Sequence, residues 1–228
     1  MRRCPEARLM PRSHPTHRDE RLEQVVERFE EAHWAGRRPD IEAFLAAAET
    51  PDERRRWLVE LVHVDLELQL ATGREVRVEE YFARFPTIQE DDGEALELIT
   101  AEFELRSQRD AHLSWDEMLS RFPRFRDRLL ELTTIGPFRL LARLGAGTFG
   151  VVWKAVDQRL ERPVAIKIPH PGRLILRHDA ERFLREGRSL ARLHHGGIVA
   201  VYEVGAHGGV PFLVSGVRAG TIGRRSAG

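Results

Sequence analysis

The chain reads Gly145-Ala146-Gly147-Thr148-Phe149-Gly150, followed at once by Val151-Val152-Trp153-Lys154-Ala155-Val156 and, further on, by Val164-Ala165-Ile166-Lys167. A glycine triplet of this kind occurs in two settings. In a dinucleotide-binding fold it opens a helix whose amino terminus holds a pyrophosphate; in a hairpin it joins two strands. The residues after the loop decide between them. The β-branched and aromatic run 151–156 is strand-like, and a turn at 157–162 leads into another such run at 163–168. The helix that the dinucleotide reading requires is missing, so the glycines sit at the tip of an antiparallel hairpin. Working outward, 138–144 reads as the strand entering the loop. Residues 179–193 read as a helix with Phe183, Leu184, Leu190 and Leu193 on its apolar side, and 200–205 and 210–214 as two closing strands. The expectation for 136–215 is a five-stranded antiparallel sheet with one helix.

These residue types suit an anionic ligand. Glycines let backbone N–H groups approach phosphate oxygens with no side chain between, and Phe149 at the tip would shield them from water. Lys167 lies in an apolar run with Val164, Ala165, Ile166 and Ile168. A strand buried this way has little use for an ammonium without a ligand, which favours a binding role over that of a surface lysine.

The pattern resembles the eukaryotic-like (Hanks-type) serine/threonine protein kinases of bacteria. Their G-x-G-x-x-G-x-V loop is matched by Gly145, Gly147, Gly150 and Val152, and their V-A-I-K by Val164-Ala165-Ile166-Lys167. The resemblance covers about residues 136–215 and implies the ATP-binding amino-terminal lobe. It also implies the site residues. Leu144, Gly145, Ala146, Gly147, Thr148, Phe149 and Gly150 would enclose the phosphates. Val152 and Ala165 would roof the adenine, and Lys167 would contact the α- and β-phosphates. Ser215 falls at the gatekeeper position. The lysine's ion-pair partner would be Glu186, in the stretch FLREGRSLARL, with Glu181 as the alternative; Lys167 and Glu186 are thus the expected catalytic pair. The loop His194-His195-Gly196-Gly197-Ile198-Val199 resembles the family's H-P-N-I-V segment with glycines replacing proline and asparagine.

The resemblance stops at Ser215. The family continues with an acidic hinge residue, a histidine-arginine-aspartate catalytic loop and an aspartate-phenylalanine-glycine motif, and none of these is found after it here. Residues 216–228 are rich in glycine, arginine and serine and read as disordered. Phosphoryl transfer needs carboxylates for Mg2+ and a residue that orients the substrate hydroxyl. ATP binding is therefore expected, the protein ligands of Mg2+ are not, and the chain alone is expected to be inactive. The loss of pattern at Gly216 is expected from a frame change or early stop in a longer kinase gene. A lobe of this size without its larger neighbour is expected to expose apolar surface, and with it to aggregate or take a partner.

The first half has a different texture. Shifted by 37 residues it falls in register with itself: Val25, Val62 and Ile99 align, as do Phe29, Leu66 and Phe103. Gly36 aligns with Gly73 as a helix stop, with Asp110 in the third copy. A second apolar set comes next, with Ile41, Val78 and Trp115, then Phe44, Tyr81 and Met118. Copies two and three end in Ala83-Arg84-Phe85-Pro86 and Ser120-Arg121-Phe122-Pro123, where proline bars further helix. A long helix, a turn and a short helix per period predict three stacked helical hairpins over 19–132, the period lying near that of tetratricopeptide repeats but without their residue pattern. The fold class expected for the whole is α+β. The hairpin surface is expected to dock a protein substrate or regulatory protein, so a scaffold role or a nucleotide sensor without chemistry stands beside the kinase reading.

Composition sets the remaining bounds. Of 228 residues, 36 are basic and 36 acidic, so no global field draws the chain to nucleic acid or acidic lipid. Residues 1–18 read as a disordered basic leader with no signal-like apolar core, and no stretch nears the ~18 apolar residues of a membrane span. A single cysteine, Cys4, fits a reducing compartment, and a cytoplasmic location is expected. Neither His14 and His17 nor His194 and His195 have a third ligand nearby, so no metal site is read.

Overall fold

The computed structural model describes residues 20–170, 177–191 and 199–217. The expected leader, Leu193, the loop around His194 and His195, and the tail beyond Val217 lie outside the described residues. The chain forms a mixture of helices and an antiparallel sheet, divided into two compact units at Arg106 and Ser107. The change of texture in the sequence suggests a boundary at 132–136 instead; the helices between 107 and 132 are counted with the sheet.

The first unit holds α1 (Glu20–Trp34), α2 (Ile41–Leu45), α3 (Pro51–Ala71), α4 (Val78–Arg84), a 3-10 turn (Pro86–Glu90) and α5 (Asp92–Ser107), which reaches the boundary. Its helix ends have local causes. Gly36 (φ 75°) and Gly73 (φ 85°) close α1 and α3 in the same way. The Arg37 N–H donates back to Ala32 O at 3.1 Å and the Arg74 N–H to Gln69 O at 3.0 Å, which is the paired bonding of a left-handed glycine stop. At the other end Thr50 Oγ1 accepts the Glu53 N–H at 3.1 Å, and Pro51 occupies the first turn, where its missing N–H costs nothing. The core is formed by Phe29, Leu61, Val62, Leu66, Ile99 and Phe103, all fully buried.

Two buried polar groups join these helices. Glu102 of α5 is fully buried; it accepts the first N–H of α4, from Val78, at 2.8 Å and Arg106 Nη1 at 2.8 Å. A buried carboxylate at a helix amino terminus satisfies orphan N–H groups and the helix dipole together. Asp65 of α3 accepts Tyr81 Oη of α4 at 2.7 Å. Burial and the Asp65 carboxylate push the Tyr81 hydroxyl well above the ordinary range for a phenol.

The second unit begins with α6 (Trp115–Arg121), a 3-10 turn (Pro123–Phe125) and α7 (Arg126–Leu132). Its six-stranded antiparallel sheet comprises β1 (Thr134–Ile135), β2 (Phe138–Gly147), β3 (Gly150–Asp157), β4 (Arg162–Ile168), β5 (Val201–His207) and β6 (Val210–Ser215), in the order β1-β2-β3-β4-β6-β5. Five strands were expected. The sixth is β1, which exists because Gly136 takes φ 57° and folds Thr134 and Ile135 back onto Arg139 and Phe138. The sheet buries Phe138, Val151, Trp153, Ala155, Val164, Ile166, Phe212 and Val214, with Phe138 and Phe212 edge to face at 5.6 Å.

Helix α6 packs on β2, where Asp116 Oδ1 accepts Arg139 Nη1 at 2.6 Å, and Thr133 O accepts the Leu140 N–H at 2.8 Å. Helix α8 (Arg177–Ala191) packs on β5 and β6 through Gly187, whose Cβ, if present, would lie 3.1 Å from Val204 and 3.2 Å from Leu213. Phe183 and Leu184 are half-buried, but Leu190, expected on the apolar side, is exposed.

Candidate functional site

Strands β2 and β3 are joined by the two-residue turn Thr148-Phe149, with Gly147 paired to Gly150. Register shifts in β2 leave Leu144 unpaired between Arg143 and Gly145, a bulge that increases the local twist before the loop. The three glycines have different reasons to be glycine. Gly150 has φ 153°, and a Cβ there would lie 2.2 Å from Ile168 O and 2.7 Å from Pro169 Cα, so the protein's own backbone excludes any side chain. At Gly145 and Gly147 a Cβ would meet nothing within 4 Å. Packing does not require glycine at these two positions, whereas close approach of a ligand to the backbone would.

Cross-strand partners share a face, so register places the remaining residues. One row across the sheet is Gly145, Val152, Lys167 and Leu213; the next is Ala142, Lys154, Ala165 and Ser215. Gly145, Val152, Ala165, Lys167 and Ser215 therefore come together on one face. Lys167 Nζ lies 5.9 Å from the ring centre of Phe149, within reach of a cation–π contact, while the ring itself is 63% exposed. Ala146 and Thr148 are exposed along the loop.

Glu186 does not join them. Its Oε1 accepts Arg182 Nε at 2.9 Å, one turn back on α8, and its side chain is 59% exposed; no ion pair to Lys167 is formed by Glu186 or by Glu181 among the described residues. The expected pair is thus absent from this structure. The cause is the rotation of α8, which turns Gly187 to the sheet and leaves Glu186 about 100° away around the helix axis.

Two further groups border the loop. His170 Nε2 donates to Gly147 O at 3.0 Å, and the exposed Lys154 stands on the same sheet face as Lys167. Lys154 could have been found from strand alternation. For His170 the sequence held no signal, since its contact depends on where the chain goes after β4. Among the described residues no group of three or more His, Cys, Asp or Glu could hold a metal ion. A shallow depression lined by Arg182, Arg185, Glu186, Ser189 and Leu190 lies along the outer side of α8. No helix among the described residues is long and apolar enough to cross a membrane.

The DNA damage-responsive serine/threonine-protein kinase RqkA of Deinococcus radiodurans is 44% identical over 80 residues, which are 34% of this chain and 12% of RqkA. Serine/threonine-protein kinase PknL of Mycobacterium tuberculosis is 35% identical over 89 residues, 39% of this chain and 22% of PknL. The chain carries a Hanks-type serine/threonine kinase fragment. The fragment occupies about a third of the chain and spans between about a tenth and a fifth of these relatives. PknK of the same organism is 43% identical to it over 86 residues, 8% of PknK. Among solved structures, the M. tuberculosis PknI kinase domain aligns with this chain at 24% identity and a TM-score of 0.33, covering 37% of this chain and 34% of that one. No protein-family model matches the chain.

Proposed function

We propose that the kinase fragment binds ATP, with the phosphates against the backbone of Gly145–Gly150 and Lys167, and the adenine against Val152 and Ala165 next to Ser215. The observation that carries this reading is the row that sets Gly145, Val152 and Lys167 side by side, with two glycines, Gly145 and Gly147, at which a Cβ would meet nothing within 4 Å. Backbone N–H groups and an ammonium can bind and orient phosphates. Moving a phosphoryl group to a protein serine or threonine needs in addition a magnesium site and a hydroxyl-orienting residue, which would belong to a fuller kinase domain. We read the chain as a nucleotide-binding protein of the cytoplasm. Thermal denaturation with and without ATP tests it: the nucleotide should raise the midpoint of the intact chain and leave Lys167→Ala unmoved. A shift equal in both proteins, or in neither, would reject the reading.

A docking role for residues 20–132 has its own support. The second helices begin at Ile41, Val78 and Trp115, at the 37-residue sequence period, and two of the first helices end on glycines in one conformation. We read these as three helical hairpins that present a surface to a protein substrate or regulator. Affinity capture with residues 20–132 as bait should recover a discrete protein partner that surface-charge variants lose; recovery of none would count against it.

A further inference from the structure

The chain that leaves β4 grips both ends of the loop's turn. Ile168 O and Pro169 Cα lie so close to Gly150 that no Cβ fits there, and His170 Nε2 reaches across to Gly147 O at 3.0 Å. These three residues come directly after Lys167, and Pro169 is buried, its ring fixing one backbone angle of the segment. Lys167 and the glycine loop are therefore tied by one short, stiff stretch of backbone, and His170 bonds that stretch to the loop through its side chain. A carbonyl can only accept, so the imidazole must carry its proton on Nε2.

We propose that His170 is a positioning residue for the phosphate site, acting through the peptide that joins Gly147 to Thr148. That peptide is planar and trans, so its N–H points opposite to its C=O. Holding Gly147 O toward His170 fixes the direction of the Thr148 N–H, one of the donors the loop offers to a phosphate. Without the bond, the pairing of Gly147 with Gly150 is left to hold the exposed Gly147-Thr148 peptide, and its orientation is less sharply fixed. His170 would touch no ligand itself. Its effect should fall on phosphates and spare the nucleoside, which lies on the Val152 and Ala165 side.

This inference rests on the ATP reading, and the test separates the two. The intact chain and its H170A and H170Q variants are titrated with ATP and with adenosine, and hydrogen exchange of the loop peptide is followed without nucleotide. Loss of one net hydrogen bond should weaken ATP binding by about three- to tenfold in H170A. Adenosine binding should stay unchanged, loop exchange should quicken, and glutamine, which can also donate a proton to the carbonyl, should restore both. If the unmutated chain binds ATP and H170A binds it equally well, or if ATP and adenosine weaken together, His170 has no such role. A folded H170Q that rescues nothing would exclude the role as well. If the unmutated chain binds neither ligand, the ATP reading has failed and the positioning role falls with it.

Discussion

Gly147 and Gly150 stand at the two ends of one turn, yet substitution should affect them in opposite ways. A methyl at Gly150 meets backbone atoms at 2.2 and 2.7 Å, and backbone cannot move aside as a side-chain tip can. Gly150→Ala should therefore destabilise the second unit by roughly 3 kcal/mol, measured by denaturant titration. Gly147→Ala meets only open space and should stay within about 0.5 kcal/mol of the parent, its cost appearing only in ATP binding. Both glycines were legible in the sequence as members of one motif. Their difference was not, because it depends on Pro169 returning to the loop from another strand. The same limit explains Glu186. Its place on a helix was readable from spacing, but its choice of Arg182 over Lys167 depends on how that helix is rotated against β5 and β6, which no local pattern encodes.

Helices α3 and α4 meet at the bonded pair Asp65 and Tyr81. Tyr81 is held neutral far above its ordinary pKa of 10.0, so the folded state keeps a proton that the unfolded chain releases. The sign comes from linkage: this stabilisation is complete below pH 10 and declines as pH rises further, by about 1.4 kcal/mol per pH unit. Tyr81→Phe should remove that part of the alkaline loss, seen as a shallower fall of the melting midpoint between pH 10 and 11. Glu102 is the other buried connection. Glu102→Ala strips the α4 terminus of its acceptor and Arg106 of its partner, and should cost about 3 kcal/mol in chemical denaturation. The helix stops at Gly36 and Gly73 were readable, since a left-handed residue is a local requirement. Glu102 carries no local signal in the sequence, because its burial comes from the packing of α5 with α4. The extra strand β1 escaped for a related reason: two residues carry no period, and only the positive φ of Gly136 folds them into the sheet.

At the scale of the whole chain, the compact unit that holds the sheet begins before the resemblance does. Helices α6 and α7 precede the resemblance but belong to the compact unit of the sheet, joined to it by Asp116 with Arg139 and by Thr133 with Leu140. A polypeptide of residues 107–228 should therefore unfold cooperatively on heating, followed by circular dichroism, while 133–228 should show no such transition. Equal behaviour of the two would assign α6 and α7 no part in holding the sheet. Calorimetric titration of the intact chain with ATP measures nucleotide binding on the face shared by Gly145, Val152 and Lys167. Saturable binding is expected, weakening by about tenfold or more in Lys167→Ala through loss of a charged partner to phosphate. Binding that survives the substitution unchanged, or no binding in the intact chain, would contradict it.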